Sequence, residues 1–138
     1  MASTTNDRNT PAKLIERQIV LPLKANETIP AGVGVCTDAT GAAVNAADTA
    51  GLISQGRSEH KASYADGDRY ITVSRGVFEF ANDGTIAQAD IGTLATWADN
   101  QTLSKAATTT NDIGAGYIEE ITPTGVFISM LGGKVAAA

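Results

Sequence analysis

The chain is poor in the residues that usually carry chemistry or cross-links. Its 138 residues include one cysteine, Cys36, and one histidine, His60. A lone cysteine excludes a disulfide framework and a cysteine-based zinc cluster. Aromatic residues make up only 5% of the chain. Much of the apolar fraction is alanine, which buries little area, so the core is expected to be thin for the length. Acidic residues outnumber basic ones 15 to 10, for a net charge of −5. The resulting pI near 4.7 argues against nucleic-acid binding, which needs a basic stripe to displace counterions. No apolar run approaches the roughly 20 residues that a membrane helix requires. Met1 to Thr10 lacks the apolar centre of a signal peptide. A soluble, acidic domain made inside the cell is expected.

What is present reads as β-structure. Residues 1–12 are polar and without periodicity, and are expected to form a flexible arm. The chain between 13 and 131 is expected to form one β domain, with a frayed tail over 132–138. In Lys13 to Leu23 the residues Ile19, Leu21 and Leu23 alternate, as in a strand with one buried face. Pro22 cannot donate a ladder hydrogen bond, which assigns that strand to a sheet edge where it can pair with another chain. Beyond it, turns recur about every ten residues, with Asp66–Gly67 and Asn82–Asp83–Gly84 the strongest signals. Short strands at that spacing favour an all-β barrel or sandwich. The alanine-rich stretches at Ala42–Ala50 and Lys105–Thr110 lack the spacing of a packed helix. A faint internal repeat sets Ile29 over Ile86, Tyr70 over Phe127 and Ile71 over Ile128, dividing the domain into similar halves at about 27–74 and 84–131.

Candidate chemistry is sparse. Cys36 and His60 form the one possible thiol–base pair, but Cys36 sits at strand spacing and His60 in a polar loop. Asp66–Gly67–Asp68 looks like the start of a calcium loop, yet the twelfth position is Val77 where a glutamate is required. Gly32–Val33–Gly34 and Gly114–Ala115–Gly116 lack the third glycine or lysine of a phosphate loop and read as turns or bulges. Glu119 and Glu120 are adjacent, so on a strand they face opposite ways. No catalytic, metal or cofactor site is assigned. The large anchors Tyr70, Phe78, Phe80, Trp97, Tyr117 and Phe127 are expected in the core or at a subunit contact.

The order of these features resembles a known family. Ile29 to Val35 (I-P-A-G-V-G-V), Gly51 to Gly56, Tyr70 to Phe78 (Y-I-T-V-S-R-G-V-F) and Ile86 to Gly92 follow one another as in the capsid cement, or decoration, proteins of tailed bacteriophages. The closing segments Gly114 to Ile121 and Gly125 to Leu131 match that family's glycine-then-strand ending. The departures are Ala89 before Asp90, where the family more often has glycine, and the long polar arm. The resemblance implies a compact β-barrel-like or β-tulip domain without catalytic residues or cofactors. It implies a virion protein on the outer capsid surface, bound where major capsid protein subunits meet, with no membrane or nucleic-acid partner. A homo-oligomer, a trimer before a dimer, is the expected assembly. The edge strand supplies the candidate contact residues Leu14, Ile15, Arg17, Ile19 and Leu21. Competing readings are a head-fibre base or tail component, a small hydrolase using Cys36 and His60, and a carbohydrate-binding module.

Overall fold

A computed structural model describes residues 2–130, the side chain of Leu14 excepted. Expectations for Leu131 and the tail fall outside the described residues. The strands are β1 (Ala12–Pro22), β2 (Thr28–Ile29), β3 (Gly34–Thr37), β4 (Ala43–Asn45), β5 (Ile53–Ser58), β6 (Ala62–Ser63), β7 (Tyr70–Asn82), β8 (Leu94–Trp97), β9 (Thr102–Lys105), β10 (Gly114–Thr122) and β11 (Gly125–Ser129). Helical structure among the described residues is limited to 3-10 turns at Tyr64–Asp66 and Gln88–Asp90. The all-β expectation therefore holds.

Everything is organised by β7, whose 13 residues are rich in β-branched and aromatic side chains. Its amides at Glu79 and Ala81, and that of Asp83 just beyond it, donate to Pro11, Gln101 and Leu103. Since alternate amides point to the same side, β1 and β9 flank one edge of β7 in succession. The other edge is shared by β5 and β11. A five-stranded barrel closes in the order β7, β9, β8, β10, β11 and back to β7. The β7–β9 pair is parallel; the other four pairs are antiparallel.

Two cores result, fed by opposite faces of that one strand. Phe78 and Phe80 are buried in the barrel with Trp97, Leu103, Ile118 and Ile128. Ile71 and Val73, of opposite parity, enter a smaller cluster with Leu23, Ile29, Val33 and Val35. The same division splits β3: Val35 serves the smaller cluster and Cys36 the barrel. At the barrel centre the Phe80 and Trp97 rings meet edge to face, 4.9 Å apart at 82°, and the indole N–H donates to Ser54 Oγ at 3.1 Å. Phe127 is nearly buried, but Tyr70 and Tyr117 are exposed by 64% and 47%. These two lie outside the core because their strand positions face solvent.

The N-terminal segment departs from expectation. Residues 2–11 lie along the body rather than free of it. The Arg8 amide donates to Ala31 O, and the Ala31 amide to Asp7 Oδ1. Thr4 and Asn100 exchange two hydrogen bonds, and the buried Thr10 hydroxyl donates to Gly32 O. An argument from apolar burial misses this segment, because its attachment is almost wholly hydrogen-bonded. The first strand also begins at Ala12, one residue earlier than expected.

Asp38 and Asp83 are two of four carboxylates, with Glu59 and Asp90, that are held below their ordinary pKa and couple this fold to pH. Burial raises the pKa of Asp83, but hydrogen bonds from Ser104 and Thr85 outweigh it and hold the group below its ordinary value. The Thr40 hydroxyl, then the amides of Ala42 and Thr40 and the Lys24 ammonium, hold Asp38 well below the carboxylate range despite some desolvation. A depressed folded pKa gives stability that is complete above the unfolded value and lost as pH falls through the folded one. The urea midpoint should therefore stay level from about pH 7 to 5 and drop below about pH 4. A midpoint unchanged at pH 3 contradicts this.

Candidate functional site

The surface that stands out is the outer side of β1. It pairs antiparallel with β7 alone, so its other edge carries unmet backbone donors and acceptors. Pro22 closes the strand, consistent with an edge position. Ile19 and Leu21 turn inward and pack against the smaller core, so these two residues, expected to contact a partner, are structural. The residues between them face out. Val20 lies opposite Thr72 and Pro22 opposite Tyr70, making Val20 and Tyr70 diagonal neighbours on one face. Both are 64% exposed. A register shift between Ile15 and Arg17 leaves Glu16 as the extra residue. This bulge turns Ile15, opposite Gly76 and 46% exposed, to the same face as Val20. Three of the five exposed large hydrophobics among the described residues thus share one stripe; Ile91 and Tyr117 are the others.

Arg17 lies directly opposite Arg75, on the other face of the β1/β7 pair. Arg75 donates from Nε and Nη2 to Gln55 O and Oε1, at 3.0 and 2.6 Å. Burial first, and then the charge of Arg17, push the Arg75 guanidinium below its ordinary pKa. At the start of β1, Lys13 pairs with Glu120 and lies 5.1 Å over the Phe127 ring.

A cavity of about 170 Å³ opens nearby, lined in part by Arg8, Thr10, Gly32, Arg57 and Glu59. Arg57 donates to Thr10 O at 2.7 Å and to Glu59 Oε1 at 2.7 Å, and stacks 4.3 Å over Phe78. Arg8 donates to Thr10 Oγ1 and to Glu79 O. These arginines fasten the N-terminal segment to β5 and β7, which fixes where β1 starts.

The other candidate residues have structural employment. Cys36 is fully buried, and burial pushes its thiol up to about 12, far from a thiolate at neutral pH. His60 is exposed, with Nε2 accepting from the Thr72 amide at 3.1 Å. The thiol-hydrolase reading therefore fails at its nucleophile. In the folded protein Cys36 should resist iodoacetamide at pH 7.5 and react on unfolding in urea; rapid labelling without denaturant contradicts this. Gly67 has φ 98 and caps the Tyr64–Asp66 turn, while Asp68 Oδ2 accepts the Ser63 amide, as the turn reading of Asp66–Gly67–Asp68 requires. Gly114 and Gly116 flank a register shift at the start of β10. Glu119 falls at another shift, and Glu120 is paired with Lys13.

Of the residues expected to contact a partner, Ile15 and Arg17 are exposed on β1; Val20 was not among them, and Tyr70 was placed only among core or contact aromatics. The available signal was the opposite parity of Val20 to Ile19 and Leu21. Comparison with family models, curated proteins and solved structures gave no match to this chain.

Proposed function

We propose that this chain is a structural virion protein that binds the outer surface of an assembled bacteriophage capsid and clamps neighbouring major capsid protein subunits. The observation that carries the reading is the exposed Ile15–Val20–Tyr70 stripe beside an unpaired strand edge. Apolar side chains give contact area, and an open edge gives main-chain hydrogen bonds in register, the two components of strand addition. The family resemblance of Ile29–Val35, Tyr70–Phe78 and Ile86–Gly92 supplies the identity of the partner.

The mechanism needs no reacting group. A protein that binds only the assembled shell raises the free energy of disassembly by mass action. Repetition over a symmetric lattice lets each contact be modest, since neighbouring contacts add through effective concentration. A homo-oligomer, a trimer in preference to a dimer, would multiply that effect. The rigid barrel and the fastened segment 2–11 hold β1 in place, so little ordering cost is due at binding.

Val20→Lys tests the reading. The side chain is exposed, so stability should change by less than about 0.5 kcal/mol. Binding to emptied, expanded heads should weaken by about tenfold or more, because a charge replaces desolvated apolar area. Equal binding of variant and parent sinks this assignment of the contact.

A further inference from the structure

We propose that the open edge of β1 is reserved for a strand of a different protein, one that sets a carboxylate beside Arg17 and apolar side chains beside Val20. This rests on the capsid-binding reading and specifies its partner chemically. Arg17 and Arg75 are direct cross-strand neighbours of like charge, an arrangement that costs stability unless an anion offsets it. Among the described residues neither arginine has a carboxylate within ion-pair distance; the four ion pairs present involve Lys13, Lys24, Arg57 and Lys105. In a protein that is acidic overall, these two cross-strand arginines form a local positive patch beside the open edge of β1. A strand added to β1 continues the sheet, with side chains alternating between the Arg17 face and the Val20 face. The partner that fits therefore sets an acidic side chain beside Arg17 on one face and apolar side chains beside Val20 on the other.

A second copy of this chain does not fit. Two identical strands paired antiparallel about a two-fold axis normal to the sheet place some residue opposite itself. Centring on Glu16 or Arg17 opposes like charges. Centring on Gln18 sets Arg17 against Ile19 and Glu16 against Val20. Each of these three registers leaves Arg17 without an acidic partner, and Pro22 removes one donor from the edge. The edge thus resists copies of itself while remaining open to a complementary strand.

The test uses the full chain and two capped peptides, one alternating valine with glutamate (VEVEVEV) and one alternating valine with lysine (VKVKVKV), followed through backbone amide shifts. The glutamate peptide should move the Gln18 and Val20 amides, and the lysine peptide should bind about fivefold or more weakly. Arg17→Gln should abolish the preference. Equal binding, a preference for lysine, shifts confined to another surface, or no shift at Gln18 and Val20 with either peptide overturns the proposal. So does sedimentation showing that the free protein pairs through β1. Failure here is separable from failure of the capsid reading. Heads that bind the parent and Arg17→Gln equally well remove this inference alone, whereas a glutamate preference without head binding removes the capsid assignment alone.

Discussion

Trp97→Ala is expected to cost about 4 kcal/mol, a large share of the stability of a domain this size. Trp97 is the largest fully buried side chain, packed edge to face on Phe80 and hydrogen-bonded to Ser54. Its removal opens a void in the barrel and leaves the buried Ser54 hydroxyl without that donor. The surroundings cannot collapse to fill the space, because the ring's far edge lies against Gly34, which has no side chain to advance. Trp97→Phe keeps most of the volume and should cost less than half as much. The variants should be compared by circular dichroism in urea, since Trp97 is the chain's one tryptophan and its loss removes the fluorescence signal. A Trp97→Ala midpoint within error of the parent would mean the barrel is not organised around this residue.

Gly32→Ala should detach the N-terminal segment while sparing the barrel. Gly32 has φ 79, and a Cβ there would overlap the carbonyl oxygen of Arg8. Both a strained backbone and a backbone-to-backbone clash oppose the substitution. The relief available is for residues 2–11 to lift away, breaking the Arg8–Ala31, Thr10–Gly32 and Arg57–Thr10 hydrogen bonds. The expected cost is about 2–3 kcal/mol, local to that segment. Hydrogen exchange should show loss of protection at the Arg8 amide with protection retained at Phe80 and Ile128. Protection retained at Arg8 would show that the segment is not held as described.

The parts of this fold that were legible in the sequence are those written in side-chain alternation. Ile19, Leu21 and Leu23 announced a one-faced strand, and Pro22 announced an edge. Phe78 and Phe80 share a face, and Cys36 differs in parity from Val33 and Val35, as their spacing implied. Three features left no such trace. The docking of residues 2–11 relies on backbone and polar groups that any loop possesses. The bulge at Glu16, which delivers Ile15 to the exposed stripe, depends on how β1 meets β7 and not on either strand alone. The change of buried face along β7 follows from two cores sharing one strand, a tertiary fact that a local pattern cannot encode. For the same reason Val20 and Tyr70, far apart in the chain, became visible as one surface only once β1 and β7 were paired.

Titration of the purified chain onto emptied, expanded phage heads, with bound copies counted per head, tests the central claim most directly. Saturation at a fixed number of copies matching the lattice symmetry, with heads made more resistant to heat, is the predicted result. Absence of binding, or uptake that rises without limit and leaves head stability unchanged, would contradict it.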